Sequence, residues 1–271
     1  MALAVIRSSI ASMKLHPRLD SETADEVLHG MVVEVLDRDG EWYSVRTHYD
    51  YEGYIHKDDM VIDDEKSKEW QQGSYIMWKP VADVMSGPGY KHQVIITLTR
   101  GALIKHTGII EDKWEKVGLA DGSPGWIRAG FARQVEKLSL KREEERVRAN
   151  LVNTALDYLG TQYRWGGKSP LGIDCSGLAS MAYMLNGFII PRDAGPQDEY
   201  LINIDRKAAK PGDLYFFPGH VAICIGGGKF VHATGTAGYV LINSLNPGDE
   251  EYREDLDKSL YSTATIFGME V

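Results

Sequence analysis

The chain changes its hydrophobic rhythm once, near residue 137. Ahead of that point apolar residues come in short alternating runs. In "EWYSVRT", Trp42, Ser44 and Arg46 interleave with Tyr43, Val45 and Thr47. A period of two, broken every few residues by Gly, Asp and Pro turns, predicts short β-strands closing into small all-β barrels. "LAVIRSSIASMKL" reads as a first strand. The pattern also recurs. "GMVVEVLDRDGEWYSVRTHYDYEGYIHKDDM" starts at Gly30 and "GALIKHTGIIEDKWEKVGLADGSPGWIRAGFAR" at Gly101. In both, a β-branched run, a turn, a Trp strand and a Gly-aromatic-Ile strand follow in order. Trp42 stands as far from Gly53-Tyr54 as Trp114 does from Gly125-Trp126. Two copies of one small domain account for this, at residues 1–63 and 74–136. The polar "DDEKSKEWQQGS" between them reads as a linker or short helix.

From Lys137 onward, "KLSLKREEERVRANLVNTALDYLG" carries Val147, Leu151, Ala155 and Leu159 four apart, with acids before Arg146 and Arg148. That is an amphipathic helix ended by Gly160. "CSGLASMAYMLNG" reads as a second helix, with Asp174 as N-cap and Gly187 as its stop. "DLYFF", "HVAICIG", "KFVHAT" and "YVLINSL" then follow as strands. Helices first and an antiparallel sheet afterwards make an α+β domain at residues 137–271.

Composition narrows the field. A net charge of −9 argues against a nucleic-acid partner. No apolar run approaches the roughly 18 residues of a membrane span, so no membrane partner is expected. The N-terminus lacks the basic start and unbroken apolar core of a secretory signal, which favours a cytoplasmic protein. Oligomeric state leaves no mark. Two cysteines make neither a disulfide framework nor a zinc site, and neither metal nor cofactor is expected. Cys224 lies in the apolar "HVAICIG" and reads as packing.

Cys175 is different. It opens a helix, where the positive end of the dipole favours thiolate. A thiol nucleophile also needs a base from another element. His220 and His232 lie in consecutive strands joined by "GGGK", and a hairpin would turn both to one surface. His220 then takes the thiol proton, and His232 holds the other ring nitrogen of His220. The backbone N–H of Cys175 is a natural oxyanion donor. Tyr163 either adds a hydroxyl there or packs under the glycine loop.

"YRWGGKSPLGIDCSGL", "HVAICIG" and "FVHA" together resemble the NlpC-type cysteine peptidases of bacterial cell-wall peptides. The resemblance implies a reduced papain-like domain with Cys175, His220 and His232 as catalytic triad and Tyr163 beside the oxyanion. Two SH3-like barrels ahead of it, with "IPRDAGPQ" after the nucleophile helix, look like the dipeptidyl-peptidase VI subgroup. That subgroup implies hydrolysis of the γ-D-Glu–L-diamino acid bond (Lys or diaminopimelate) in small murein peptides with a free N-terminal L-Ala. A free amine is a cation and calls for carboxylates. The resemblance points to Asp174, Ser176 and Asp193 around the nucleophile. From the first barrel it points to Tyr51 and an acid, taken as Glu22, with Asp25 and Glu26 close by. Ala194 stands where some relatives carry a polar residue. Three other readings are a secreted wall-lytic enzyme whose barrels anchor it to the wall, a binding protein with a degenerate peptidase domain, and an amidase or acyltransferase on the same scaffold. The complete Cys175, His220 and His232 set speaks against the binding protein.

Overall fold

The computed structural model describes residues 2–72, 74–136 and 138–269. The boundary residues Met1, Lys137 and Val271 of the expected domains, and Gly73 of the expected linker, lie outside the described residues. The chain divides between Val135 and Glu136 into two compact units. Among the described residues no helix is long and apolar enough to cross a membrane.

The N-terminal unit holds two seven-stranded antiparallel sheets. The first runs in spatial order Thr23–Leu28, Ile10–Lys14, Glu52–His56, Trp42–Arg46, Val32–Asp39, Ala2–Ile6, Met60–Ile62. The second runs Val94–Thr99, Val81–Met85, Pro124–Arg128, Trp114–Gly118, Leu103–Glu111, Tyr75–Met77, Ala132–Arg133. Counted along each barrel, the strand order is the same. The sequence repeat is therefore a structural repeat, down to register: Val45 pairs with Gly53, and Val117 with Gly125.

Both glycines are required by a close crossing. A Cβ at Gly53 would lie 2.6 Å from Met13 Cγ, and one at Gly125 would strike Val84 Cγ1. The repeat's opening glycines also match. Gly30 (φ +76°) and Gly101 (φ +93°) occupy the left-handed region, where a side chain is strained. "LAVIRSSIASMKL" differs from expectation, forming two strands rather than one. The chain bends at Arg7–Ser9, where the N–H groups of Arg7 and Ser8 both donate to the Asp59 carbonyl. Ala2–Ile6 then pairs with Val32–Asp39, while Ile10–Lys14 pairs with Thr23–Leu28.

The linker is a helix, Asp64–Gln71, capped by Asp63, whose carboxylate accepts from the Lys66 N–H at 3.0 Å. Its Trp70 joins Val5, Val32 and Ala120 in an apolar cluster drawn from both barrels. His29 ties the barrels by polar contacts. Its Nδ1 lies 2.9 Å from the Arg7 carbonyl, and its Nε2 accepts from the Ala120 N–H at 3.2 Å. Burial lowers its pKa and keeps the ring neutral in this role.

The C-terminal unit packs helices on a six-stranded antiparallel sheet. The strand order is Ile202–Asn203, Ser262–Thr265, Leu214–Phe217, His220–Gly226, Lys229–Thr234, Tyr239–Ser244. The helix Glu144–Leu156 buries Val147, Leu151 and Ala155. Leu159 falls beyond it and is 46% exposed, because the helix ends at Leu156 and the chain turns through residues 157–160. The helix Cys175–Met184 is buried along nearly its whole length. Its start is set by a buried ion pair. Arg192 Nη1 and Nη2 donate to Asp174 Oδ1 and Oδ2 at 3.0 and 2.8 Å, and Nη1 also donates to Ser176 Oγ at 2.9 Å. The same carboxylate accepts the N–H groups of Gly166 (2.8 Å) and Gly177 (2.6 Å). A fork-to-fork pair with every lone pair used is the geometry in which a buried ion pair is tolerated.

Gly53→Ala is expected to destabilise the first barrel by about 1–3 kcal/mol through overpacking, measured as a lowered denaturation midpoint. Arg192→Met leaves the Asp174 carboxylate buried without its cation. Such a loss costs about 3–5 kcal/mol, and thermal denaturation of the variant should show a clearly lowered Tm.

Candidate active site

The N-terminus of the helix Cys175–Met184 brings Cys175 to the start of the strand His220–Gly226. The helix begins there because Asp174 has extended backbone (φ −97°, ψ −179°) and its carboxylate takes the Gly177 N–H. As the first helical residue, Cys175 has an N–H without an intrahelical acceptor. Its thiol is half-buried and free, and Cys224 is buried and free. Cys224 packs with Tyr215, Phe217 and Phe230 and accepts the Tyr215 hydroxyl at 3.3 Å.

The two histidines meet because strand parity puts them on one face. His220, Ala222 and Cys224 alternate along one strand, and the pair Cys224↔Phe230 sets Phe230 and His232 on the same side. The result is His220 Nε2 to His232 Nδ1 at 2.7 Å. His232 Nε2 continues to Asn243 Oδ1 at 2.9 Å. The edge of His220 left over is Nδ1. Phe230 stacks edge-on against His232 at 4.9 Å between centroids, closing that side with apolar surface.

Burial dominates the electrostatics. It pushes the Cys175 thiol up to about 11, helped by the Asp174 charge and opposed by the N–H groups of Val221 and Ser176 and by Arg192. It pulls His220 down to about 3, with His232 and Arg253 adding to the effect. His232 is lowered to about 4, the Asn243 hydrogen bond opposing. Burial thus favours the neutral forms of the thiol and of both imidazoles. Tyr163 is half-buried and its hydroxyl is pushed up to about 12, by burial first and then by the neighbouring Cys175 and Asp174 charges. It therefore stays a proton donor beside the thiol. Its strand position is set by a bridge to Ile173 and by its N–H donating to the Gly238 carbonyl at 2.7 Å.

The structure thus sets Cys175 near Tyr163 and against the N–H of Val221, the residue after His220, and joins His220 to His232. Asp174 and Ser176 are there too. Both are buried and their polar atoms are engaged with Arg192 and with each other. The Asp174 carboxylate also caps the helix start through the Gly177 N–H. Asp193 is half-buried at the N-cap of the helix Ala194–Tyr200. In the N-terminal unit, Tyr51 is half-buried with its N–H on Thr47 Oγ1 at 3.1 Å. Glu22, the acid expected from the first barrel, is exposed. The buried acids of that segment are Asp25 and Glu26, at 0% and 5% exposure, and Tyr49 donates its hydroxyl to Asp25 at 2.5 Å. Among the described residues no cluster of three or more His, Cys, Asp or Glu is gathered for a metal.

Two site residues escaped the sequence reading. Arg192 stood in "IPRDAGPQ" without a role, and Asn243 stood in "YVLINS" as one more strand residue. A lone amide inside an apolar strand was the available signal, because buried polar groups need partners.

Comparison with known proteins bears on this geometry. Residues 160–254 match the NlpC/P60 family, and residues 16–60 match the bacterial dipeptidyl-peptidase SH3 domain. The chain is 39% identical to dipeptidyl-peptidase 6 of Lysinibacillus sphaericus over 273 residues, covering 97% of this chain and 99% of that protein. It is 30% identical to the γ-D-glutamyl-L-lysine dipeptidyl-peptidase of Bacillus cereus, covering 84% of this chain and 72% of that one. The crystal structure of an NlpC/P60 family protein from Bacillus cereus shares the fold over 98% of this chain and 99% of that one, with a TM-score of 0.82 at 22% identity. With its matched SH3 segment, its nearly full-length relative and its cysteine at a helix start beside a histidine pair, the chain belongs to the NlpC/P60 family of cysteine peptidases.

Proposed function

We propose that the chain hydrolyses the bond between the γ-carboxyl of D-Glu and an L-diamino acid in small murein peptides that carry a free N-terminal L-Ala. The observation that carries this is the hydrogen-bonded His220–His232 pair next to a thiol at a helix start. The names of the relatives, dipeptidyl-peptidase 6 and γ-D-glutamyl-L-lysine dipeptidyl-peptidase, support the choice of bond.

In this reading the Cys175 thiol passes its proton to His220 Nδ1 as Sγ attacks the γ-carbonyl of D-Glu. The C–S bond forms as the carbonyl π pair moves to oxygen. The Cys175 N–H and the Tyr163 hydroxyl donate to that oxyanion. His220 returns the proton to the leaving amine as the C–N bond breaks, leaving a thioester. Water, activated by the same histidine, then releases the L-Ala-γ-D-Glu product. His232 supports the transient charge on His220. Asp193 is the carboxylate of this unit that we assign to the substrate ammonium. Cleavage of released peptides fits cell-wall peptide recycling in the cytoplasm. A wall-lytic enzyme of the same chemistry is told apart by its substrate, since it would cut intact wall polymer as readily as free peptide.

Mass spectrometry of L-Ala-γ-D-Glu-diamino acid peptides tests the proposal. The wild type should release L-Ala-γ-D-Glu from the free peptide and leave the N-acetylated peptide largely uncut. Cys175→Ala should lose at least about 10³-fold in kcat while calorimetry still detects peptide binding. Normal hydrolysis by that variant would remove Cys175 as nucleophile, and equal turnover of the N-acetylated peptide would remove the amine requirement.

The pH profile follows from the neutral resting state. With His220 and His232 lowered to about 3 and 4, the base keeps its lone pair as pH falls through the ordinary histidine value. The kcat/KM of the free peptide should stay level down to about pH 5 and fall only below it. The substrate α-amine loses its charge near pH 8, so the alkaline limb belongs there. An acid limb at about 6.5 would show an unburied, ordinary imidazole as the base.

A further inference from the structure

The histidine pair can run in either direction. In one, His220 Nε2–H donates to His232 Nδ1, and His220 Nδ1 carries a lone pair. In the other, His232 donates, and His220 carries a hydrogen on Nδ1 and cannot accept the thiol proton. The pair by itself does not choose, since each imidazole has one donor and one acceptor when neutral.

The choice is made two groups further along. Asn243 is 8% exposed and its amide bridges two elements. Its Nδ2 faces the Glu251 carbonyl at 3.2 Å, and its Oδ1 faces His232 Nε2 at 2.9 Å. A backbone carbonyl can only accept, so the nitrogen of the amide belongs on that side and the oxygen on the histidine side. The oxygen in turn can only accept, so His232 carries its hydrogen on Nε2. His232 Nδ1 is then an acceptor, His220 donates from Nε2, and Nδ1 of His220 is left basic.

The carbonyl that starts this sequence is well held. The Ser244 N–H donates to the same Glu251 oxygen at 2.9 Å, the Arg253 N–H donates to the Ser244 carbonyl at 2.9 Å, and Ser244 bridges to Tyr252. The turn before it is pinned by Ser244 Oγ donating to Asp249 at 2.6 Å. Asn243 is also placed by sheet register, opposite Phe230 on the neighbouring strand and therefore on the same face as His232.

We propose that Asn243, oriented by the Glu251 carbonyl, is a positioning residue that sets the tautomers of both His232 and His220 and so makes His220 Nδ1 the base. The inference rests on the proposed role of His220. The charged groups acting on the pair are Arg253, which disfavours charge on both rings, and Asp255, which favours it on His232.

The test uses the full chain with ¹⁵N-labelled histidine, where the ring nitrogen shifts report the tautomer without reference to activity. In the wild type both rings should be Nε2–H. Asn243→Leu should lose that pattern for both rings and lower kcat at least about 10-fold with KM within about 2-fold. Asn243→Asp keeps an acceptor for His232. It should retain the Nε2–H pattern while a nearby carboxylate moves the acid limb of kcat/KM up by at least about one pH unit. Native tautomers in Asn243→Leu overturn the proposal, whether or not activity falls. If Asn243→Leu does not fold, an unmoved acid limb in Asn243→Asp overturns it. Failure of the Cys175 assignment would show separately, in the hydrolysis by Cys175→Ala, and would leave the tautomer result readable.

Discussion

The C-terminal unit depends on one buried contact, the forked ion pair of Arg192 and Asp174. A helix start must find partners for its free N–H groups. Here a single carboxylate serves as N-cap, as acceptor for the glycine loop through Gly166, and as counter-ion to a buried guanidinium. That convergence fixes where the helix begins, and the next residue is Cys175. The price is electrostatic: a carboxylate next to the thiol disfavours thiolate, as does burial. Arg192 offsets part of that effect, so the same pair that positions the cysteine also moderates its local field.

The burial of the two histidines and their hydrogen-bonded relay belong together. A preformed thiolate–imidazolium pair needs solvent or nearby charge to stabilise it. Here His220 and His232 are sunk against Phe217 and Phe230, where ionisation is penalised. What remains available is directional hydrogen bonding, running from a backbone carbonyl through Asn243 and His232 to His220. In the proposed mechanism that relay supports the charge that develops as the substrate carbonyl is attacked.

Much of the architecture was legible because local rules act at fixed spacing. The repeat showed in the equal Trp-to-Gly intervals, and the structure gives the reason. A strand crosses so closely at Gly53 and at Gly125 that no Cβ fits, and the opening glycines Gly30 and Gly101 need positive φ. The helix that opens with Cys175 showed in Asp174 and the apolar run behind the cysteine. The histidines showed because two strands with a glycine turn between them read as a hairpin. Less legible was the first segment. Its apolar pattern continues through Arg7–Ser9, but the hydrogen bonds of Arg7 and Ser8 to Asp59, far along the chain, bend it into two strands.

By itself the sequence determined the elements and the repeat, and it singled out the cysteine and the two histidines, since helix caps, strand parity and glycine turns are written within a few residues. It did not determine which carboxylates are buried and which are taken up by a partner. Asp174 looked available beside the cysteine and is taken up by Arg192, and Glu22 looked like a pocket acid while Asp25 and Glu26 are the buried ones. Nor did it show that Asn243 ends the histidine relay. Those outcomes depend on partners many residues away, and on which polar group burial leaves in need of one, so only the tertiary structure decided them.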